Sequence, residues 1–267
     1  MKPHKPNAYT RIIECIFKKH YAPGKSVVVF PRSDISEIAS ALGVSVPKNL
    51  GDVVYSFRHR SALPNAIRAK APKGREWIIR SAGPSRYAFE LSSATVFAPS
   101  PNLVETKIPD ATPGVIVSYA LSDEQALLAK LRYNRLVDIF TALTCYSLQN
   151  HLRTAVPGIG QTETDELYIG LDRRGAHYVL PVQAKGGSDR LGVIQIENDF
   201  RMCGRKFPGL ICRPIGAQFM DDSLIALFEF EQHGSEVGIC SEKHYRLVRP
   251  EELSSDEIRL YRERCAD

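Results

Sequence analysis

The sequence predicts two α+β units in tandem. Three observations carry that prediction: a helix-turn-helix pattern closed by an alternating hairpin in the first third, a Pro-rich break near residue 100, and an apolar hairpin between two helical stretches in the remainder. Charge divides along the same line. Residues 1–99 hold 16 Lys/Arg against 6 Asp/Glu, a net +10, whereas residues 100–267 hold 19 against 24, a net −5. A basic module on a mildly acidic body is the footprint of a nucleic-acid-binding unit joined to something else.

In chain order, Asn7 or Thr10 can cap a first helix that stops near Tyr21, before Ala22-Pro23-Gly24. Ile12, Ile13, Ile16 and Phe17 give it one apolar face. Ser26 to Phe30 is a short β-like run. Ser33 or Asp34 caps a second helix over Ile35, Ile38, Ala39 and Leu42, which Gly43 ends. A third helix is expected from about Lys48 to Arg60, with Leu50, Val53, Val54 and Phe57 inward. Strands follow at Glu76–Arg80 and Arg86–Leu91, around the turn Ser81-Ala82-Gly83-Pro84. A hairpin after a helix-turn-helix makes a winged helix-turn-helix, whose helix after the turn enters the major groove. Its polar positions make Lys48, Asn49, Tyr55, Arg58 and Arg60 candidate DNA contacts, with Lys73 and Arg75 ahead of the wing. Asn and Arg can read base edges bidentately, and Lys serves phosphates. A winged helix that binds protein is the alternative.

Pro99, Pro101, Pro109 and Pro113 punctuate the next stretch, which reads as a linker. The expected division is a DNA-binding domain over 1–99, a linker over 100–120 and a second domain over 121–267. That second domain opens on a helix capped by Ser122, with Asp123 and Glu124 in the first turn, where acids suit the helix dipole. Leu127, Leu128, Leu131, Leu136, Val137, Ile139, Phe140, Leu143 and Leu148 keep it apolar and carry it to near Arg153.

After Pro157-Gly158, Asp165 opens a strand over Glu166–Leu171, Asp172-Arg173-Arg174-Gly175 is turn chemistry, and Ala176–Lys185 is the returning strand. The loop length decides which face Asp165 takes. A three-residue loop over 173–175, with Gly175 at positive φ, pairs Asp172 with Ala176 and sets Asp165 opposite Gln183. A two-residue loop throws Asp165 to the other face. The glycine at the third loop position favours the first register, so Asp165, Gln183 and Lys185 are expected on one face. A carboxylate and an amide oxygen are hard ligands suited to Mg2+, and a lysine beside them can hold developing phosphate charge. A helix over about Ser188–Cys203 and strands at Leu210–Ile215, Leu224–Glu231 and Val237–Cys240 complete the domain.

Asp165 followed by Gln183-Ala184-Lys185 at the end of the next strand resembles the D…(D/E/Q)-x-K signature of the PD-(D/E)XK nucleases. The QxK form is similar to Mrr-type restriction endonucleases, over about residues 122–220. The resemblance implies an α/β restriction-endonuclease-like domain with an αβββαβ core and a mixed sheet. The order helix, hairpin strands, helix, strand agrees with it. It implies Mg2+-dependent hydrolysis of double-stranded DNA, with Mn2+ able to substitute. Asp165 and Gln183 would hold the metal, and Lys185 would hold the attacking water or the phosphate charge. Two departures stand out: Gln183 replaces a carboxylate, so an accessory acid is needed, and Thr164 rather than Pro precedes Asp165.

Asp138, mid-helix among apolar neighbours, is the accessory candidate, with a salt bridge to Arg135 or Arg132 as the plainer role. Gln195 and Asp199, four apart on one helix face, could reach the site or DNA. Alternation sets Glu166 on the face opposite Asp165. Gln183 also leaves open a non-catalytic DNA-binding regulator on a degenerate nuclease fold, and the basic surface leaves open an RNA-acting enzyme. Cutting both strands needs two sites, so a homodimer is the expected working form. No apolar run approaches the ~20 residues of a membrane span. Six scattered cysteines without a CxxC pair point to reduced thiols in a cytoplasm. No phosphate-binding GxxxxGK[ST] loop and no Ser-His-Asp or Cys-His set is visible.

Overall fold

The computed structural model describes residues 7–59, 61–93, 96–119, 123–157, 160–186, 189–234 and 236–264. The chain is α+β, with one large mixed sheet. Its first part runs α1 (Ala8–His20), β1 (Val27–Pro31), α2 (Ser33–Leu42), α3 (Gly51–His59), α4 (Asn65–Arg68), β2 (Glu76–Ser81) and β3 (Arg86–Ser92). The three strands form a small sheet in the order β1-β3-β2, antiparallel throughout.

Local chemistry accounts for these elements. The Asn7 side chain accepts the Thr10 N–H at 2.9 Å and caps α1, whose Ile12, Ile13, Ile16 and Phe17 are buried. Gly43 takes φ +64° and ends α2 by donating back to Ala39 and Ser40 carbonyls. Asp34, expected as a possible cap of α2, instead lies buried inside its first turn and pairs with Lys19 and His20 of α1. The third helix starts at Gly51 rather than Lys48, because Asn49 caps it: its Oδ1 accepts the Gly51 N–H at 3.2 Å.

The second part runs β4 (Val96–Phe97), β5 (Glu105–Pro109), α5 (Gly114–Tyr119), α6 (Asp123–Tyr133), α7 (Leu136–Thr141), β6 (Thr144–Val156), β7 (Gly160–Leu171), β8 (His177–Lys185), β9 (Leu191–Gly192), α8 (Val193–Lys206), β10 (Ile211–Cys212), β11 (Ile215–Phe219), β12 (Leu224–His233), β13 (Glu236–Val248) and, after a 3-10 turn at Pro250–Glu252, α9 (Ser255–Glu263). The large sheet has the order β5-β13-β12-β11-β8-β7-β6, with β10 also on β8. Strands β6, β7 and β8 are a meander, and β11 joins β8 in parallel after the α8 crossover. Helix α6 covers one face through Leu127, Leu128 and Leu131, packed with Leu180, Val182 and Ala184. Helix α8 covers the other through Ile196, Met202 and Cys203.

Three sequence expectations are corrected. The long helix does not reach Arg153: Arg135 and Ala142 take left-handed φ of 50° and 56°, the helix breaks into α6 and α7, and Thr144 onward becomes strand β6. A ladder running from Thr144↔Leu171 to Val156↔Gly160 outweighs the helical apolar spacing there. The Leu210–Ile215 strand is instead two, β10 and β11. The stretch read as a linker is built into the fold, since β5 pairs in parallel with β13 and β4 pairs with β9.

The first part is docked on the second through β2. Ile78 is buried with Phe97, Leu191, Val193 and Ile194. Two residues on, the Arg80 guanidinium grips Glu197 of α8, with Nε donating to Oε2 at 2.8 Å, and also reaches Glu90 at 2.8 Å. Glu197 is 2% exposed. Breaking a buried pair strands a charge, so Arg80→Ala is expected to cost about 3–5 kcal/mol in denaturant unfolding. The joint Arg80→Met/Glu197→Leu replacement is expected to recover most of that loss.

Candidate active site

The turn at 172–176 sets the register. Asp172 Oδ1 accepts the N–H groups of Arg174 (2.8 Å) and Ala176 (2.9 Å), and Gly175 takes φ +83°. The loop has three residues, with Asp172 N–H donating to the Ala176 carbonyl at 3.2 Å. The ladder then runs from Leu171↔His177 to Glu166↔Val182. Beyond it the two strands separate, and the Asp165 side chain accepts the Ala184 N–H at 2.8 Å.

Asp165 and Lys185 come together: Lys185 Nζ lies 3.9 Å from Asp165 Oδ2. The same ammonium lies 3.3 Å from Glu124 Oε1, at the start of α6. Two carboxylates from different elements thus meet one lysine. Burial pushes the Asp165 carboxyl above its usual range, against the pull of Lys185 and the Ala184 N–H, and Glu124 adds to the rise.

Gln183 is 1% exposed and sits in a second, adjoining network. Its Nε2 donates to Asp199 Oδ2 and to the Glu163 carbonyl, both at 3.0 Å, and its Oε1 accepts from Gln195 Nε2 at 3.4 Å. Asp199 Oδ1 accepts the Thr164 hydroxyl at 2.5 Å. Burial pushes the Asp199 carboxyl up to about 7, although the Thr164 and Gln183 bonds pull it down.

Asp138, the sequence's accessory acid, is elsewhere: it pairs with Arg135 and accepts the Cys145 N–H at 2.9 Å, pinning the start of β6. Glu166 points to the opposite face from Asp165, where Arg132 and Ser147 hold it. Glu124 is the acid that sequence reasoning assigned only to the helix dipole. Its signal was topological, a carboxylate on the helix that covers the ends of β7 and β8. Among the described residues no three His, Cys, Asp or Glu side chains form a metal-binding group. The oxygen donors that meet at Lys185 are the Asp165 and Glu124 carboxylates, both hard ligands, while the Gln183 oxygen accepts from Gln195 in the adjoining network. That set fits Mg2+, which keeps several waters of its own.

The candidate DNA contacts divide. Lys48, Lys73 and Tyr55 are exposed. Asn49 is held by Arg32 at 2.9 Å and by Asp52 at 2.8 Å. Arg75 turns to Glu236 of β13 at 3.2 Å. Arg58 Nε is buried with no hydrogen-bond partner among the described residues. Arg60 lies outside the described residues. Asn49, Tyr55 and Arg58 line a cleft of about 1760 Å³ that also reaches Glu124, Asp165, Gln183, Lys185 and Gln195.

Asp199 binds its proton more tightly folded than unfolded. Its stabilising contribution is therefore full below about pH 4 and is lost as pH rises to about 7. Asp199→Asn keeps a neutral side chain throughout. Its Tm relative to the parent chain, measured without divalent cations, is expected to climb across that window; a constant difference would show that Asp199 titrates normally. No family model matches the chain, and neither a curated protein nor a solved structure was found to match it.

Proposed function

We propose that the protein is a DNA endonuclease of the restriction-endonuclease-like kind, with an N-terminal winged helix-turn-helix. The observation that carries this reading is the meeting of Asp165, Glu124 and Lys185 at the end of the β7–β8 hairpin, facing a cleft that α3 also lines. Element order adds support. Helices α6 and α7, strands β6, β7 and β8, helix α8 and strand β11, with β11 parallel to β8, follow the αβββαβ order of the resemblance. Residues 7–92 follow the winged-helix order, with β2 and β3 as the wing.

In this reading Asp165 and Glu124 would hold Mg2+, and Gln183, expected from the motif as a ligand, has its oxygen taken by Gln195 instead. Bound Mg2+ supplies positive charge to a phosphate oxygen and lowers the pKa of a bound water. Lys185, 13% exposed in its side chain, would hold the phosphate charge that develops on attack, in a site where water screens little. The Ala184 N–H fixes the rotamer of Asp165. Asp199 and Gln195 orient the Gln183 amide. Because burial raises the Asp165 carboxyl in the metal-free site, Mg2+ binding is expected to strengthen with pH as that group ionises. Double-strand cutting would use a homodimer. No helix among the described residues is long and apolar enough to cross a membrane.

Plasmid cleavage with Mg2+ is the test. Asp165→Ala, Lys185→Ala and Glu124→Ala are each expected to lower the rate by ~10²-fold or more, whereas Asp138→Asn is expected to leave it nearly unchanged. Full activity in both Asp165→Ala and Lys185→Ala would remove the assignment. A parent chain that binds duplex DNA but neither cuts it nor binds Mg2+ would indicate the non-catalytic regulator.

A further inference from the structure

The cleft between the two parts has two unlike walls. The first part lines it with Tyr55, Arg58, Arg86 and Tyr87, the last packed against Phe30, and the second part with Arg190 and with Arg153, which pairs with Glu163 at 3.0 Å. Arginine and tyrosine together suit a nucleic-acid strand, through backbone charge and base stacking. At about 1760 Å³ the cleft exceeds the ~300–1,000 Å³ of small-molecule pockets. It is the size for a stretch of polymer.

The walls are also held at a fixed separation. Ile78 and Arg80 of β2 lock onto α8, and α8 carries Gln195 and Asp199, which hold Gln183. The segment between the two parts is no free tether, because Phe97 is buried and β4 and β5 are both paired.

We infer that this cleft is one continuous DNA site, in which the segment touched by α3 is itself the segment presented to Asp165 and Lys185. The inference rests on the nuclease reading for the chemistry, but not for the binding. Its consequence is a cut inside the contacted segment, not at a distance set by a linker. Helix α3 has 9 residues. It spans about 13.5 Å, or about four nucleotides at ~3.4 Å per phosphate. With α3 and Asp165 on one cleft, the scissile bond is expected within one helical turn, ~10 base pairs, of the α3 contacts.

Photo-crosslinking of the full chain tests this. With p-benzoylphenylalanine placed at both Tyr55 of α3 and Gln161 of β7, which line the cleft from the two parts, the protein is irradiated with end-labelled duplex DNA in the absence of divalent cations. Both positions are expected to crosslink to one DNA molecule within ~10 base pairs of each other, and excess unlabelled duplex is expected to abolish both. Crosslinks more than a turn apart, or crosslinking from Tyr55 alone, would overturn the shared site. If the paired crosslinks form close together but the parent chain cuts no DNA with Mg2+, the shared cleft stands and the nuclease reading falls. Paired crosslinks with cleavage outside the crosslinked segment would overturn the inference and leave the nuclease reading intact.

Discussion

A single carboxylate, Asp172, sets the geometry on which the candidate site depends. By accepting two backbone N–H groups across the hairpin loop, it closes a three-residue turn that Gly175 can enter at positive φ. The turn fixes the register of β7 against β8, and side chains in a strand alternate with period two. A slip of one residue would carry Asp165 to the side of Glu166, where Arg132 and Ser147 already satisfy an acid. The ladder ends at Glu166↔Val182, and the N–H of Ala184 beyond it would be left unpaired in a buried strand. The Asp165 side chain takes that N–H. The bond that replaces a missing rung also fixes the carboxylate beside Lys185.

This part of the site was legible in the sequence because every determinant is local: an Asp-x-x-Gly turn, an apolar strand on each side and a count of residues between them. What was not legible depends on distant chain. Glu124 reaches Lys185 because α6 crosses the ends of β7 and β8, a fact of packing and not of spacing. The apolar residues from Leu127 to Leu148 fit a helix by period, yet Ala142 takes a left-handed turn and Thr144 to Val156 pair with β7. A periodicity argument weighs only what a segment does alone; strand pairing is settled by a partner elsewhere. The prolines of residues 99–113 misled for the same reason. Proline is tolerated at strand ends, and Pro109 closes β5 on the edge of the large sheet.

Helix α8 joins the two halves of the structure. Its Glu197 receives Arg80 from the small sheet, and its Gln195 and Asp199 reach Gln183 in the large one. Residues 195, 197 and 199 cannot share one helix face, since positions two apart lie on different sides. The helix therefore needs polar groups in two directions while Ile194, Ile196 and Met202 pack apolar surface. Its buried residues include Glu197, Asn198 and Asp199, three polar side chains in succession. Each of the two acids has a partner on a strand, which is the condition for burying a charged or proton-sharing group.

Asp199 also gives a physical reason for glutamine at 183. The Gln183 Nε2 sits 3.0 Å from Asp199 Oδ2 and 3.0 Å from the Glu163 carbonyl, so position 183 must present a donor to two acceptors. A glutamate there would set a carboxylate against a carboxylate in a buried site already holding Asp165, and one of them would have to stay protonated. The amide meets both acceptors through its NH2 group and leaves its oxygen to Gln195. Read this way, the residue that looks like a lost acid in the motif is the neutral partner of an acid carried on α8. The site keeps carboxylates at 124, 165 and 199, supplied by a helix, a strand and a second helix.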